Sequence, residues 1–142
     1  MNKIKPAYEE FPLKTYDKIR YRDTDRQGHV NNALFSTFLE TGRTELLYAS
    51  EPLHDENASF VIANQNLNLL SEIRWPGTAE IGSAVIRIGN SSLTLFQGIY
   101  QNGTLAATAE TVIVQMDDST RKAKPLSDRT REILKQYLVE NE

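Results

Sequence analysis

One stretch with the period of an α-helix lies among segments with the period of a β-strand, and this contrast limits the possible folds more than any other feature. From residue 31 or 32 to about residue 50, apolar residues recur at helical spacing: Leu34, Phe35, Phe38, Leu39, Leu46 and Leu47. Such a stripe predicts one long amphipathic helix. Gly42 shares this face, where a glycine costs about 1 kcal/mol relative to alanine. We therefore expect the glycine to allow close approach to a sheet.

The remaining periodic segments predict five β-strands, at about 13–23, 60–75, 78–88, 92–101 and 104–116. In the first strand, Ile19 and Tyr21 share the apolar parity. In the second, one parity carries Val61, Ala63, Leu67, Leu69, Ile73 and Trp75. Asn102-Gly103 separates the last two strands and is a strong hairpin signal, because both turn positions favour positive φ.

The order of these elements predicts the architecture. A strand and the long helix come first, then four strands in an antiparallel meander, then a short helix from Ser127 to about Val139 with Ser127 or Asp128 as its cap. We expect an α+β fold in which the sheet wraps around the long helix. A chain of 142 residues fits a single domain, residues 1–142.

Composition and charge exclude several classes of function. The formal net charge is -3, and the basic cluster Arg121-Lys122-Lys124 is short, so we expect no nucleic-acid partner. The chain has no cysteine and only two histidines without metal-site spacing, which predicts no metal site. No apolar run reaches the ~18 residues of a membrane span, and residues 1–11 lack the apolar core of a signal peptide. A cytoplasmic protein without membrane contact is expected.

The densest run of functional residue types is residues 23–32, with the sequence DTDRQGHVNN, between the first strand and the long helix. The first amides of a helix are unpaired donors at the positive end of its dipole, so they can polarise a carbonyl group. A carboxylate just upstream could attack that carbonyl or activate a water beside it. Asn31 is a plausible helix cap.

In these residues the chain resembles the hotdog thioesterase superfamily, and within it the 4-hydroxybenzoyl-CoA thioesterase-like branch. The resemblance begins with Tyr21-Arg22-Asp23-Thr24-Asp25 and Gly28-His29-Val30-Asn31-Asn32. It continues through Phe38, Glu40, Arg43, Arg74-Trp75-Pro76-Gly77, Gly89-Asn90-Ser91-Ser92, Asn102-Gly103 and Met116-Asp117. It therefore spans a core of about residues 13–135.

The resemblance implies a five-stranded antiparallel hotdog sheet around the long helix and homodimers that can stack as homotetramers, with active sites at the dimer interface. It implies hydrolysis of acyl-CoA or acyl-carrier-protein thioesters. Because a thiolate is a good leaving group, we expect no cofactor. Asp25 matches the family's catalytic carboxylate, as nucleophile or general base. Asn32 matches the residue whose backbone amide faces the thioester carbonyl, and Ser91 and Ser92 are candidate contacts to coenzyme A.

His29 with Asn31-Asn32 is also similar to the His-Val-Asn-Asn run of plant acyl-carrier-protein thioesterases. This similarity makes His29 a catalytic candidate, with a structural donor as the alternative. That branch has an asparagine two residues after the aspartate. Gln27 stands at this position and is a candidate for substrate binding.

Other interpretations remain open at this point. The chain could be a binding module that sequesters acyl-CoA or a partner without turnover, since one fold hosts several activities. A hydratase that uses His29 as its base ranks last, because the histidine motif of hotdog hydratases is missing. On the helix, Glu40 and Arg43 are predicted to form a surface ion pair.

Overall fold

The computed structural model describes residues 7–139, which form five β-strands and two α-helices. The elements in chain order are β1 (Leu13–Ile19), α1 (Ala33–Tyr48), β2 (Ala58–Leu69), β3 (Gly77–Ile88), β4 (Ser92–Gln101), β5 (Thr104–Asp117) and α2 (Asp128–Lys135). The predicted α+β class, with one long helix and a short terminal helix, is confirmed. No helix within residues 7–139 is long and apolar enough to cross a membrane.

The strand order is β1-β3-β4-β5-β2, and every neighbouring pair is antiparallel. Only β3, β4 and β5 follow one another as a meander, so the predicted four-strand meander is wrong. After α1, β2 pairs with β5 at the edge of the sheet opposite β1. The chain then crosses back, and β3 pairs with β1. Strand periodicity contains no information on which strand is the neighbour, and the prediction assumed the shortest path.

The first strand ends earlier than predicted. β1 stops at Ile19, which is 1% exposed, and Tyr21–Asp23 form a turn of 3-10 helix. Tyr21 was predicted to face the core but is 74% exposed, because the turn breaks the alternation of the strand. The segment after Ile19 therefore belongs to the loop that precedes α1.

The second strand does not keep one parity. A β-bulge between Ile62 and Asn64 inserts an extra residue, and a bulge moves the side chains that follow to the opposite parity. Phe60 packs against the core before the bulge, and Leu67 packs against it afterwards. β2 also ends at Leu69, before the predicted end at Trp75.

Local signals in the second half of the chain are confirmed. Asn102 and Gly103 both adopt positive φ, 51° and 81°, between β4 and β5. Ser127 caps α2, because its side chain accepts a hydrogen bond from the Thr130 amide at 3.1 Å. Both features depend on residues a few positions apart, which sequence patterns describe well.

The buried face of α1 lies on the inner face of the sheet. Phe35, Phe38 and Leu39 pack with β3 and β5 residues such as Ile81 and Ala107 in one core cluster. A Cβ atom on Gly42 would lie 2.7 Å from side-chain atoms of Gln97 and Ile81 and 2.9 Å from Ser83 Oγ. The predicted close approach at Gly42 is therefore confirmed. The Gln97 side-chain amide also donates a hydrogen bond to the Leu39 carbonyl at 3.1 Å.

We predict that Gly42→Ala destabilises the protein. Overpacking costs about 1–3 kcal/mol, whereas the helix propensity of alanine returns about 1 kcal/mol, so the free energy of unfolding should fall by up to about 2 kcal/mol. Urea denaturation measures this change. Ser36→Ala is the control, because Ser36 is exposed on the same helix and should be neutral or slightly stabilising. Equal or higher stability of Gly42→Ala would show that the helix can move away from the sheet at little cost.

Candidate functional site

The loop between β1 and α1 is closed by its own backbone. Thr24 and Val30 form an antiparallel bridge, and the Asp25 amide donates to the His29 carbonyl at 2.8 Å. Gly28, with φ of 82°, makes the tight turn, and its amide donates to the Asp25 carbonyl at 3.2 Å. The sequence folds this way locally because glycine adopts positive φ without steric cost.

The carboxylate of Asp25 is exposed, and one of its two oxygens accepts hydrogen bonds. Its Oδ1 accepts hydrogen bonds from the backbone amides of Gln27 at 2.9 Å and His29 at 3.2 Å. Its Oδ2 makes no hydrogen bond within the described part of the chain. One oxygen thus fixes the orientation of the carboxylate while the other is available to a reacting group.

The start of α1 leaves one amide free. Asn31 Oδ1 accepts from the Ala33 amide at 2.9 Å, and the Asn31 carbonyl accepts from the Leu34 amide at 2.9 Å. The side chain of Asn31 therefore caps the helix as expected, although the cap position next to the regular helix is Asn32. The backbone amide of Asn32 donates no hydrogen bond to any residue between 7 and 139. The Asn32 amide is thus a free donor next to the start of the helix.

Asp23 stabilises the loop through hydrogen bonds of its side chain and its carbonyl group. It is 4% exposed and accepts hydrogen bonds from the Arg20 amide at 2.8 Å and from Arg20 Nη2 at 3.0 Å, while its carbonyl accepts from the Asn31 amide at 2.9 Å. Burial by itself would raise the pKa of Asp23. The hydrogen bonds from Arg20 and the charges of Arg20 and Arg22 outweigh burial and hold that pKa below its ordinary value.

His29 is anchored by a residue that sequence reasoning missed. Its Nε2 lies 3.2 Å from Glu72 Oε2, and the same oxygen lies 3.2 Å from Arg74 Nη2. His29 and Arg74 are also joined by an isolated antiparallel bridge. Nothing in the spacing of the chain relates Glu72 to His29, because the two segments meet only through the tertiary fold.

Ser91 and Ser92 do not come near this loop within one chain. The loop lies at the end of the sheet where β3 begins, since Ile19 pairs with Gly77. Ser91 and Ser92 follow the turn after β3, at the opposite end, where the Ser91 carbonyl accepts from the Gln115 amide at 2.8 Å. Any contact between these serines and a ligand at Asp25 therefore needs a second subunit.

A polar cavity of about 420 Å³ lies between β1 and the first half of α1. Leu34 and Asp23 line it on the side of the loop, and Asp17, Lys18, Arg20, Thr37, Phe38 and Thr41 complete the wall. Thr41 Oγ1 donates to Asp17 Oδ2 across it at 2.6 Å. This cavity adjoins the loop, and six of its eight lining residues have polar or charged side chains.

An apolar cavity of about 420 Å³ lies at the other half of α1, beside β2 and β5. Leu47, Tyr48, Phe60, Val61, Ile62 and Ile113 provide its apolar walls, with Glu40, Arg43 and Thr44 on the helix side. Arg43 does not form the predicted surface ion pair with Glu40. Its Nη1 is buried without a hydrogen-bond partner among the described residues, and desolvation lowers its pKa.

No group of three or more His, Asp or Glu side chains within residues 7–139 could hold a metal ion. The loop presents a carboxylate oxygen of Asp25 and the backbone amide of Asn32, each without a hydrogen-bond partner among residues 7–139. A carboxylate can act as a nucleophile or base, and a free amide can stabilise an oxyanion.

Comparison with known proteins gives a consistent match. The family model of the thioesterase-like superfamily matches residues 19–134. The long-chain acyl-CoA thioesterase FadM of Escherichia coli (strain K12) is 31% identical over 131 residues, covering 89% of this chain and 99% of the relative. The acyl-CoA thioester hydrolase YbgC of Escherichia coli O6:H1 is 28% identical over 121 residues, covering 82% of this chain and 87% of the relative.

Among solved structures, a thioesterase from Thermus thermophilus, in complex with coenzyme A and Zn, superposes with a TM-score of 0.78 at 29% identity. The match covers 89% of this chain and 94% of that protein. A protein from Bacillus stearothermophilus, described as a predicted thioesterase, superposes with a TM-score of 0.80 at 26% identity over 90% of this chain and 97% of that protein. The family match thus includes the loop at residues 23–32.

We predict that Asp23→Asn weakens the protein in a pH-dependent way. Loss of the charged hydrogen bonds from Arg20 should lower the free energy of unfolding by about 1–3 kcal/mol at neutral pH. Because the pKa of Asp23 is depressed in the folded state, its contribution is present above the unfolded pKa of about 4 and is lost as the pH falls through the folded pKa. The difference between wild type and variant should therefore shrink on acidification below about pH 4. Urea titrations at several pH values measure it, and a difference independent of pH would contradict a role for the charge.

Proposed function

The chain belongs to the thioesterase-like superfamily and has its hotdog fold, and from this we propose that it hydrolyses acyl-CoA thioesters to a free acid and coenzyme A. The single observation that carries this proposal is that Asp25 Oδ2 and the Asn32 backbone amide, both between β1 and α1, have no hydrogen-bond partner among residues 7–139. FadM and YbgC, which are named for the hydrolysis of acyl-CoA thioesters, are among its relatives.

In the proposed reaction, the thioester carbonyl oxygen accepts a hydrogen bond from the Asn32 amide, which stabilises the oxyanion as it forms. Asp25 Oδ2 either attacks the carbonyl carbon or removes a proton from a water that attacks it. In the general-base route the carbon–sulfur bond breaks as the water adds, and the proton that Asp25 took from water passes to the departing thiolate. In the nucleophilic route the thiolate leaves first and the acyl group forms a mixed anhydride with Asp25. Water then adds to the acyl carbon, the anhydride bond breaks to restore the Asp25 carboxylate, and the proton released from water passes to the thiolate.

His29 supports this chemistry mainly through position. Its backbone amide holds Asp25 Oδ1, and its ring is anchored to Glu72 Oε2 at 3.2 Å. We propose that the Glu72 contact fixes the loop so that the carboxylate keeps its direction. Gln27 also holds Asp25 through its amide, and its exposed side chain is proposed to contact the substrate.

The proposed active unit is a homodimer joined through β2. β2 is an edge strand of 12 residues that contains no Lys, Arg, Asp, Glu or Pro. The opposite edge, β1, has Lys14, Asp17 and Lys18. Charges and short length protect edge strands from pairing, and a long uncharged edge favours addition of another strand. The edge of β2 therefore suits pairing with a second copy of itself.

Antiparallel pairing of two β2 strands would place the apolar cavity of one subunit beside the loop of the other. Phe60 to Ile62, at one end of β2, line that cavity, whereas Leu67, towards the other end, packs against the core cluster that includes Val30. A twofold axis through the middle of β2 brings these two ends together. We propose that the acyl group occupies the apolar cavity, and that the amide-rich pantetheine arm occupies the cavity beside Asp23, where six of eight lining residues are polar or charged.

The same twofold axis would also change which loop lies near Ser91 and Ser92. These residues lie at the far end of their own sheet, and antiparallel pairing turns that end towards the neighbouring loop. Ser91 of the partner subunit and Ser92 of the partner subunit are thus the proposed contacts to coenzyme A. Further stacking of dimers into tetramers stays a prediction.

We predict that Asp25→Asn lowers kcat for thioester hydrolysis by at least about 100-fold, because general acid–base or nucleophilic function is lost while the shape of the side chain remains. Free-thiol release from a panel of acyl-CoA substrates of different chain length and aromatic character measures the rate. Asp128→Asn is the control, since Asp128 is exposed at the start of α2. Hydrolysis by Asp25→Asn at the wild-type rate would overturn the assignment, and tight binding without turnover by the wild type would favour a binding module.

We predict that the double variant Asn64→Lys/Asn66→Lys dissociates the homodimer, because it places like charges on paired β2 strands. Both residues are exposed, so the fold should tolerate the change. Light scattering coupled to size-exclusion chromatography measures the mass. Tyr16→Lys, on the exposed edge of β1, should leave the dimer intact. A dimer that persists in the double variant would contradict pairing through β2.

A further inference from the structure

Two large aromatic side chains lie on the surface beside the loop that contains Asp25. Tyr21 is 74% exposed and Trp75 is 44% exposed. Their ring centroids are 5.3 Å apart at an interplanar angle of 77°, an edge-to-face arrangement. In this geometry the edge of one ring meets the face of the other, so part of the aromatic surface remains open to a flat ligand.

The backbone fixes this aromatic pair to the loop. The Trp75 amide donates to the Gly28 carbonyl at 3.4 Å. The Tyr21 carbonyl accepts from the Thr24 amide at 3.1 Å and from Thr24 Oγ1 at 2.7 Å. Tyr21 also directly follows Arg20, which lines the polar cavity. The aromatic pair is therefore held against the loop, and it is next in sequence to a residue of the cavity wall.

Three arginines lie next to the aromatic pair or to the loop in the sequence. Arg22 follows Tyr21, Arg74 precedes Trp75, and Arg26 lies in the loop between Asp25 and Gln27. All three are exposed, and Arg22 and Arg26 form no ion pair within residues 7–139. Arg74 is 62% exposed and shares Glu72 with His29. Arginine binds phosphate groups well because its planar fork can make two parallel hydrogen bonds.

We propose that Tyr21 and Trp75 stack on the adenine base of coenzyme A and that Arg22, Arg26 and Arg74 bind its phosphate groups. Aromatic side chains with neighbouring cations are the arrangement by which proteins hold nucleobases without reading their sequence. This inference rests on the proposed thioester hydrolysis and extends it to the carrier. It assigns coenzyme A in preference to acyl carrier protein, since the phosphopantetheine arm of a carrier protein has no adenine.

Trp75 is the only tryptophan of the chain, so its fluorescence reports on this site directly. Titration with adenosine 3′,5′-bisphosphate, the nucleotide end of coenzyme A, should quench the fluorescence to saturation. Added salt should weaken the binding, because phosphate contacts are screened. Pyrophosphate has no base and should not quench. Absence of saturable quenching, or equal quenching by pyrophosphate, would overturn the proposal.

Variants divide the contributions of base and phosphate. Tyr21→Ala retains the reporter and should raise the Kd for the bisphosphate about tenfold, whereas Tyr16→Ala should not change it, although Tyr16 is similarly exposed at 67%. Arg26→Gln should weaken binding and reduce its dependence on salt. An unchanged Kd in Tyr21→Ala would show that the pair does not bind the base.

Kinetics complete the test. Trp75→Ala should raise KM for an acyl-CoA about tenfold with little change in kcat, and should leave KM unchanged for the same acyl group on pantetheine. An equal effect on both substrates would mean that Trp75 only supports the loop. Quenching by the bisphosphate without hydrolysis of any thioester would contradict the proposed hydrolysis but not the nucleotide site. Hydrolysis without quenching would contradict only the nucleotide site.

Discussion

Burial of one face of α1 against the sheet is the constraint on which the rest of the structure depends. Phe35, Phe38 and Leu39 are at most 2% exposed, and Gly42 brings the helix backbone within side-chain distance of β3 and β4. Because the packing fixes the helix along its length, it also fixes where the helix begins. The free amide of Asn32 then stands at a defined place, and a short loop is sufficient to bring a carboxylate into the same region.

The loop contains two aspartates whose surroundings give them different properties. Asp23 is buried, and the hydrogen bonds from Arg20 and the charges of Arg20 and Arg22 hold its pKa below the ordinary value, so its carboxylate ties the loop to Arg20. Asp25, two residues later, is exposed, and only one of its oxygens is engaged by backbone amides. The sequence alone shows two identical side chains, and the difference between them arises from burial and from the partner that each one finds.

Sequence patterns predicted those parts of the molecule that depend on neighbouring residues. The helix, the Asn102-Gly103 turn and the Ser127 cap follow from spacing and local conformation, and the fold class follows from the order of the elements. The path of β2 to the far edge, the bulge before Asn64 and the contact between His29 and Glu72 depend on distant segments, so no local pattern revealed them. Asp25 and Asn32 were chosen from a family resemblance. The structure adds which of their atoms form hydrogen bonds, and their roles stay proposals.

Gly42 lies between two halves of α1 that contact different parts of the molecule. The first half presents the donor at its start, and the second half, from Arg43 to Tyr48, forms one wall of the apolar cavity. Since the close contact at Gly42 holds the axis between them, changes in side-chain size at Thr44 or Tyr48 can reshape that wall without moving the donor. Substitutions at that end of the helix would therefore alter the proposed acyl site, while the Asn32 amide at the other end keeps its position.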